Sequence, residues 1–265
     1  MPQSLHPAAE IGFSVGAELY QQARPSYPQS ISKWLLKNLH LSNESKLIDL
    51  GAGTGKFIPY LSQISTHVIA IEPIQAMLQQ LQNTFPEITT LQAYSHSIPL
   101  PTNSVDAVFC AQSFHWFANT ESLNEIARLL KSGQFLILIW NQRDTTVNWV
   151  QAIAEQLSPL EGNTPRFHHF EWKEVLDQHP LFKSVQQEII PFEHSGTVEQ
   201  VVLKRLRSTS FIAALPTNDQ QKFENEIAKI VLDYTGKLPH DHIQFPYQTH
   251  IYVYQKNGHG LKQSD

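Results

Sequence analysis

One short stretch restricts the fold of this chain of 265 residues more than any other. An apolar run over residues 46–50 leads directly into glycines at alternate positions, Gly51, Gly53 and Gly55. The run predicts a buried parallel strand, and glycines permit a tight turn after it because they tolerate positive φ. A helical pattern begins at residue 56. Strand, turn and helix together predict the opening of a nucleotide-binding βαβ unit.

The turn departs from the dinucleotide-binding pattern at two positions. That pattern has its third glycine where this chain has Lys56. Asp49 lies two residues before the first glycine, where its negative charge would repel a pyrophosphate but attract an ammonium or sulfonium group. These departures favour a cationic nucleoside over a dinucleotide as the ligand.

A second acidic residue ends the next predicted strand. That strand covers residues 68–71, and Glu72 follows it, 21 residues after Gly51. One βαβ crossing needs about 20 residues to bring an acid to the ribose of a nucleotide. We therefore expect the Glu72 carboxylate to accept hydrogen bonds from ribose hydroxyls.

Three motifs connect the chain with one enzyme family: Asp49-x-Gly51-x-Gly53-x-Gly55, Glu72-Pro73 and the Phe-His-Trp-Phe run at residues 114–117. They resemble the class I S-adenosylmethionine-dependent methyltransferases, and within them the small-molecule branch that includes trans-aconitate methyltransferase-like proteins (methyltransferase type 11 domain). The resemblance extends from about residue 20 to about residue 254. It implies an α/β fold with a doubly wound, Rossmann-like, seven-stranded sheet, an antiparallel last strand and helical insertions. It also implies S-adenosyl-L-methionine as the cofactor.

The resemblance assigns cofactor contacts residue by residue. The positions concerned are Tyr20, Arg24, Asp49, Gly51, Gly53, Gly55, Glu72, Pro73, Met77, Ser95, His96 and Gln112. Relatives often carry Ala-Glu at the positions of Ser95 and His96, so His96 departs from the pattern and a backbone contact with adenine is the one expected there.

The resemblance also places His115, Trp116 and Arg143 beside the methyl acceptor. Arg24 and Arg143 would suit an acidic acceptor, because a guanidinium group donates two parallel hydrogen bonds to a carboxylate. Pairing of Arg143 with Asp144 or another carboxylate remains an alternative. A carboxylate acceptor needs no base, whereas a hydroxyl or amine would need one, and His115 is then the candidate.

The pattern of the whole chain predicts one core with additions. We expect an N-terminal segment and cofactor-covering helix in residues 1–40, the cofactor-binding core in 41–145, a helical insert and the final strands in 146–256, and a tail in 257–265. Helices are predicted over residues 29–39, 74–85, 119–130, 148–157, 170–179, 198–208 and 218–234. Further strands are predicted over residues 89–93, 105–111, 135–140, 185–192 and 248–255.

Composition and charge exclude several classes of function. The net charge is −5 and the sequence has no block of Lys or Arg, which argues against binding to nucleic acid or a membrane surface. The apolar runs are too short to span a bilayer, and the N-terminus lacks a signal-peptide pattern, so a cytoplasmic location is expected. Cys110, the single cysteine, is expected to be a buried, unreactive thiol. The 13 histidines show no zinc-site spacing, so we predict no bound metal.

The sequence therefore predicts a methyltransferase that acts on a small molecule, with an acidic acceptor preferred, as a monomer or homodimer. Two alternatives remain open. One is a regulatory protein that binds the methyl donor without catalysis, and the other is an NAD(P)-dependent oxidoreductase.

Overall fold

The structure is a computed structural model that describes residues 24–162 and 165–258. Its strands are β1 (Lys46–Leu50), β2 (His67–Ile71), β3 (Thr89–Leu91), β4 (Val105–Ala111), β5 (Leu130–Arg143), β6 (Phe182–Thr197) and β7 (His242–Lys256). Its helices are α1 (Ile31–Leu39), α2 (Ile58–Leu61), α3 (Gln75–Thr84), α4 (Thr120–Leu129), α5 (Asn148–Leu157), α6 (Glu171–Asp177), α7 (Lys204–Arg207), α8 (Ser210–Ala213) and α9 (Thr217–Thr235). Short 3₁₀ helices cover Phe114–Trp116, Ser158–Leu160 and Phe167–His169, and a π-helical turn covers Glu199–Leu203.

The strands form one seven-stranded sheet in the order β3-β2-β1-β4-β5-β7-β6. The pairs β3–β2, β2–β1, β1–β4 and β4–β5 are parallel, whereas the last strand is antiparallel. The predicted fold class is therefore confirmed. The strand order reverses between β1 and β4, and open α/β sheets bind ligands at the carboxyl ends of strands beside such a reversal. The turn after β1 lies at that point.

The chain divides into two compact units, each with its own apolar core. The larger unit contains residues 29–140, 165–189 and 250–258, and its core is built on β1, β4, β5 and α4. The smaller unit contains residues 24–28, 141–162 and 190–249, and its core is built on α5, the π-helical turn and α9. Among the helices that the structure describes, none combines the length and apolar character needed to cross a bilayer.

Several boundaries differ from those that the sequence pattern predicts. The helix expected at residue 56 begins at Ile58, because the glycine turn continues through hydrogen bonds from Gly55 N to Ala52 O and from Ile58 N to Gly55 O. Strand β7 begins at residue 242 rather than 248. The sequence pattern does not predict the first half of this strand, because Pro246 interrupts the strand pattern. The helix predicted over 198–208 begins as a π-helical turn and continues as α7.

Candidate active site

The turn after β1 is held closely against its neighbours in the larger unit. The amides of Gly51 and Ala52 both donate to the Ile71 carbonyl, at 2.8 and 3.0 Å. The Ser113 hydroxyl donates to the Leu50 carbonyl at 2.7 Å, and a Cβ added to Gly51 would lie 2.6 Å from Ser113 Cβ. Glycine is therefore required at position 51 by packing. Sequence reasoning did not identify Ser113, although it is the second residue after β4.

The other two glycines differ in what lies next to them. A Cβ at Gly55 would meet Phe85 at 2.9 Å and Leu81 at 3.0 Å, so this glycine lets α3 pack against the turn. Among the atoms of the described residues, a Cβ at Gly53 would meet only the Met77 sulfur within 4 Å, at 3.7 Å. Gly53 is therefore the position where the backbone leaves room for a ligand to approach, and its φ of +58° favours glycine as well.

Asp49 is a buried acid whose charge is not compensated within the described chain. Its side chain is 1% exposed, and neither carboxylate oxygen has a hydrogen-bond partner among the described residues. Burial, and then the nearby Glu72, raise the pKa of Asp49 to about 8. An ionised carboxylate in such a place needs a cationic partner. Asp49 thus provides two acceptor atoms for an ammonium group.

Glu72 follows β2 and reaches the same turn. Its Oε2 accepts from Gly53 N at 2.8 Å and its Oε1 accepts from Ile74 N at 3.0 Å. Burial raises the pKa of Glu72 to about 7, although these two amide bonds favour its charged form. Each carboxylate oxygen accepts one bond here and has capacity for a second, so the expected contact with ribose hydroxyls is compatible with this geometry.

Four further predicted contacts lie in the larger unit. The Pro73 carbonyl accepts from Gln92 Nε2 at 3.1 Å, and Met77 is buried beside Gly53. The Ser95 hydroxyl lies 2.7 Å from the Ser122 hydroxyl in the first turn of α4. The His96 ring stacks on Tyr94 with the ring centres 5.7 Å apart, an arrangement that occupies one face of the imidazole. The role of each in binding remains a prediction.

The carboxyl end of β4 carries backbone strain. Gln112 has a φ of +61°, and its amide donates to the Ile139 carbonyl at 2.8 Å. A residue with a Cβ adopts this conformation rarely and at a cost of about 1–3 kcal/mol, and such residues cluster at functional sites. Cys110 in the same strand is fully buried, as predicted, and burial together with Asp49 raises the pKa of its thiol.

The aromatic run after β4 forms a 3₁₀ helix in which His115 is oriented by Trp140. Trp140 Nε1 donates to His115 Nδ1 at 3.1 Å. An indole N–H can only donate, so Nδ1 must be unprotonated and the proton of the neutral imidazole lies on Nε2. The Trp116 ring lies 5.0 Å from that of His115. Sequence reasoning found His115 and Trp116 but not Trp140, which fixes the tautomer.

The remaining predicted residues lie in the smaller unit or outside the described chain. Arg24 Nη2 donates to the Ser208 carbonyl at 2.9 Å. Arg143 ends β5, and it makes no ion pair with Asp144, whose carboxylate accepts from Thr146 and Gln248. Tyr20 lies outside the residues that the structure describes, and so does most of the predicted N-terminal segment.

Arg205 and Tyr247 were missed as candidate site residues. Arg205 is 7% exposed and Tyr247 is 2% exposed, and both bury polar atoms that lack a hydrogen-bond partner in the described chain. Arg205 belongs to an Arg-x-Arg-Ser segment that stands out in the sequence. The sequence did not show that one arginine of this segment is buried while the other forms an ion pair.

The residues of the larger unit fit the groups of S-adenosyl-L-methionine. This cofactor carries an ammonium group, a sulfonium group and a ribose, and the orphaned Asp49 carboxylate, the open approach at Gly53 and the Glu72 carboxylate match them in charge and hydrogen bonding. A pyrophosphate beside two buried acids would be repelled.

Comparisons with known proteins agree with this chemistry. Residues 48–138 match the family described as "Methyltransferase domain". An uncharacterized methyltransferase-like protein of Schizosaccharomyces pombe is 35% identical over 240 residues, covering 89% of this chain and 92% of its own length. An uncharacterized methyltransferase of Mycobacterium tuberculosis is 34% identical over 209 residues, covering 74% of this chain and 84% of its own.

Solved structures show the same fold. A protein of Anaeromyxobacter dehalogenans, described as a candidate type II methyltransferase, has a TM-score of 0.66 at 20% identity and covers 88% of this chain and 97% of its own. An N-methyltransferase of Haemonchus contortus, solved with S-adenosylhomocysteine, has a TM-score of 0.54 at 15% identity and covers 96% of this chain and 60% of its own. Together with the sequence relatives, these findings show that the chain belongs to the class I S-adenosylmethionine-dependent methyltransferases.

Proposed function

We propose that this methyltransferase acts on a small molecule and methylates a carboxylate oxygen. The observation that carries this proposal is the hydrogen bond from Trp140 Nε1 to His115 Nδ1. A general base needs an available lone pair on its nitrogen. In His115 the lone pair of Nδ1 already accepts from Trp140, and Nε2 carries the proton, so the neutral side chain acts as a hydrogen-bond donor.

A carboxylate is the acceptor that requires no base. It is ionised and nucleophilic at neutral pH, whereas a hydroxyl or an ammonium group must first lose a proton. S-adenosyl-L-methionine supplies a methyl group that its sulfonium already activates. The protein then has to align the acceptor and exclude water. Asp49 and Glu72 hold the ammonium group and the ribose of the cofactor and so fix the position of the methyl donor.

The type of bond formed provides the first test. The protein is incubated with methyl-labelled S-adenosyl-L-methionine and separate panels of small carboxylic acids, amines and alcohols, and the products are treated with alkali. A methyl ester releases volatile labelled methanol under these conditions, whereas an N-methyl or ether product keeps its label. We expect volatile label from the acid panel. Label that remains alkali-stable with every panel would exclude carboxylate methylation.

A single substitution tests the role of His115. In His115→Asn the amide oxygen can still accept from Trp140, but no imidazole remains to remove a proton. For a carboxylate acceptor we expect kcat to fall less than about tenfold, whereas loss of a general base costs about 10²–10⁴-fold. Unchanged binding of S-adenosylhomocysteine is the control for an intact cofactor site. A fall of 10² or more with that binding intact would assign His115 as the base.

A further inference from the structure

The smaller unit contains a cluster of buried polar side chains outside the cofactor-binding turn. It consists of Arg143 at the end of β5, Arg205 in α7 and Tyr247 in β7, and we call these three residues the arginine cluster. Arg205 and Tyr247 are both more than nine-tenths buried. The Arg143 side chain is partly buried, with its Nε out of contact with solvent.

Several hydrogen-bond donors of the arginine cluster have no acceptor in the described chain. Within the described part of the chain, Arg143 makes no hydrogen bond or ion pair. Arg205 Nη1 donates to Thr209 Oγ1 at 3.2 Å, but its Nε has no partner among the described residues, and neither has the Tyr247 hydroxyl. Buried polar groups are almost always hydrogen-bonded in folded proteins. Unused donors on three side chains at one place therefore indicate a missing acceptor.

The charges in the cluster point to the same conclusion. The amide of Asp144 donates to the Pro246 carbonyl at 3.0 Å, which places Arg143 and Tyr247 at adjacent positions of β5 and β7. Burial lowers the pKa of Arg143, and repulsion from Arg205 lowers it further. The buried Glu161 acts on Arg143 in the opposite direction. Among the described groups that act on Arg143, one carboxylate faces two guanidinium groups, which leaves a net positive charge. Burial of such an excess is costly unless an anion compensates it.

Two other arginines of the chain, Arg128 and Arg207, are paired within the protein. Arg207, two residues after Arg205, forms an ion pair with Glu224. Arg128 donates to both oxygens of Glu125 and to the carbonyls of Ile98 and Leu100. The acceptors of these two arginines are supplied by the chain itself, whereas the described chain supplies none for Arg143.

We propose that Arg143, Arg205 and Tyr247 bind a carboxylate group of the small-molecule acceptor. Planar guanidinium groups match a carboxylate with parallel hydrogen bonds, and the Tyr247 hydroxyl can donate a further one. The assignment to the acceptor rests on the proposed function, but anion binding by the cluster can be measured without turnover.

The test uses thermal unfolding of the full chain with sodium succinate as the probe and sodium chloride to hold the ionic strength constant. A ligand at ten times its dissociation constant should raise the midpoint of a protein of this size by about 3–6 °C. We expect a saturable rise of this kind in the wild type. Arg205→Gln and Arg143→Gln should each abolish it, and Arg143→Lys should retain part of it because the charge remains.

Two controls separate the cluster from general effects. Lys204→Gln removes the same charge from the exposed residue next to Arg205, and it should leave the succinate-dependent rise unchanged. S-adenosylhomocysteine should raise the midpoint of every variant, which shows that the larger unit is folded. If Arg205→Gln shows no unfolding transition, Arg143→Gln decides the question.

Three results would overturn the proposal: no saturable rise in the wild type, an equal rise in both glutamine variants, or a rise with inorganic phosphate but not with succinate. The last result would assign a phosphate ester in place of a carboxylate. A succinate-dependent rise without any response to S-adenosylhomocysteine would instead support the cluster and contradict the proposed function.

Discussion

The turn after β1 and the arginine cluster both bury more charge of one sign than the described chain compensates. The turn buries the carboxyl groups of Asp49 and Glu72, and the cluster buries the Arg205 side chain and part of the Arg143 side chain. They differ in how that charge can be neutralised. A carboxyl group takes up a proton at neutral pH when its pKa is raised, whereas an arginine remains charged. The first region should therefore respond to pH as well as to a cation, and the second only to an anion.

The largest effect should come from removing the charge at the turn. Asp49→Asn should weaken S-adenosylhomocysteine binding roughly 100-fold, about 2.7 kcal/mol, because the ammonium group loses its buried counter-charge. The midpoint of the ligand-free protein should stay the same or rise, since a buried carboxyl group without a partner is removed. Isothermal titration calorimetry measures the first quantity and thermal unfolding the second.

The matched control for Asp49→Asn is Glu87→Gln, which removes one negative charge from an exposed position. It should change neither quantity appreciably, because exposed charges are screened by solvent. Undiminished binding by Asp49→Asn would show that the turn does not bind the ligand through this carboxylate. The buried negative charge of the turn would then have no role in ligand binding.

A smaller effect, the dependence of stability and of ligand affinity on pH, should distinguish the two regions. The folded-state pKa of Asp49 is raised to about 8 from an ordinary value of 3.8, so the ligand-free folded chain binds more protons than the unfolded chain between these values. Its stability should fall as pH rises through that range, by at most about 1.4 kcal/mol per pH unit for each such carboxyl group. An ammonium group beside Asp49 favours the ionised form, so S-adenosylhomocysteine affinity should rise from pH 5.5 to 7.5, by up to about tenfold per unit.

Calorimetry in buffers of different ionisation enthalpy can show this linkage directly. Binding of S-adenosylhomocysteine near pH 6.5 should release protons, and Asp49→Asn should reduce their number. Among the described residues, the titratable groups that interact with Asp49 are Glu72 and the buried Cys110 thiol, and Glu72 contributes because its pKa is raised to about 7. Binding of succinate by the arginine cluster should release none over the same range. Binding of the adenosyl compound with no proton release at any pH would contradict the raised pKa values.

The two regions also differ in how far the sequence could predict them. The turn after β1 is built from residues that lie close together in the chain, so the spacing of Asp49 and the glycines, with Glu72 one crossing later, was enough to predict it. The same local patterns predicted the opening βαβ unit, whereas the seven-stranded sheet was implied by the family resemblance. The arginine cluster joins residues 143, 205 and 247, which are brought together only by tertiary packing. No local spacing reveals which arginine lacks a partner, and for this reason Arg205 and Tyr247 were missed. Arg143 was identified only through the family resemblance.

His115 is an intermediate case. Its place after β4 follows from the sequence, but its chemistry depends on Trp140, which lies one strand further along the sheet. The sequence left the general-base role open because nothing in a local pattern shows which imidazole nitrogen is engaged. Tautomers are set by contacts between strands, so they are visible only once the sheet is assembled.

The smallest expected effect is on the free energy of unfolding, when the same substitution is made at two buried tyrosines. Tyr247→Phe in the cluster removes a hydroxyl that has no hydrogen-bond partner in the described chain, so the free energy of unfolding should rise by about 0.5–1.5 kcal/mol. Tyr254→Phe removes a hydroxyl that donates to Asp177 Oδ1 at 2.7 Å, so it should fall by about 1–2 kcal/mol. Urea unfolding of both variants without ligand measures the two values. Opposite signs would show that the cluster keeps a donor unused for an anion at the expense of stability. An equal loss of unfolding free energy in both variants would show that the Tyr247 hydroxyl already stabilises the ligand-free fold. The proposed anion site would then consist of Arg143 and Arg205 alone.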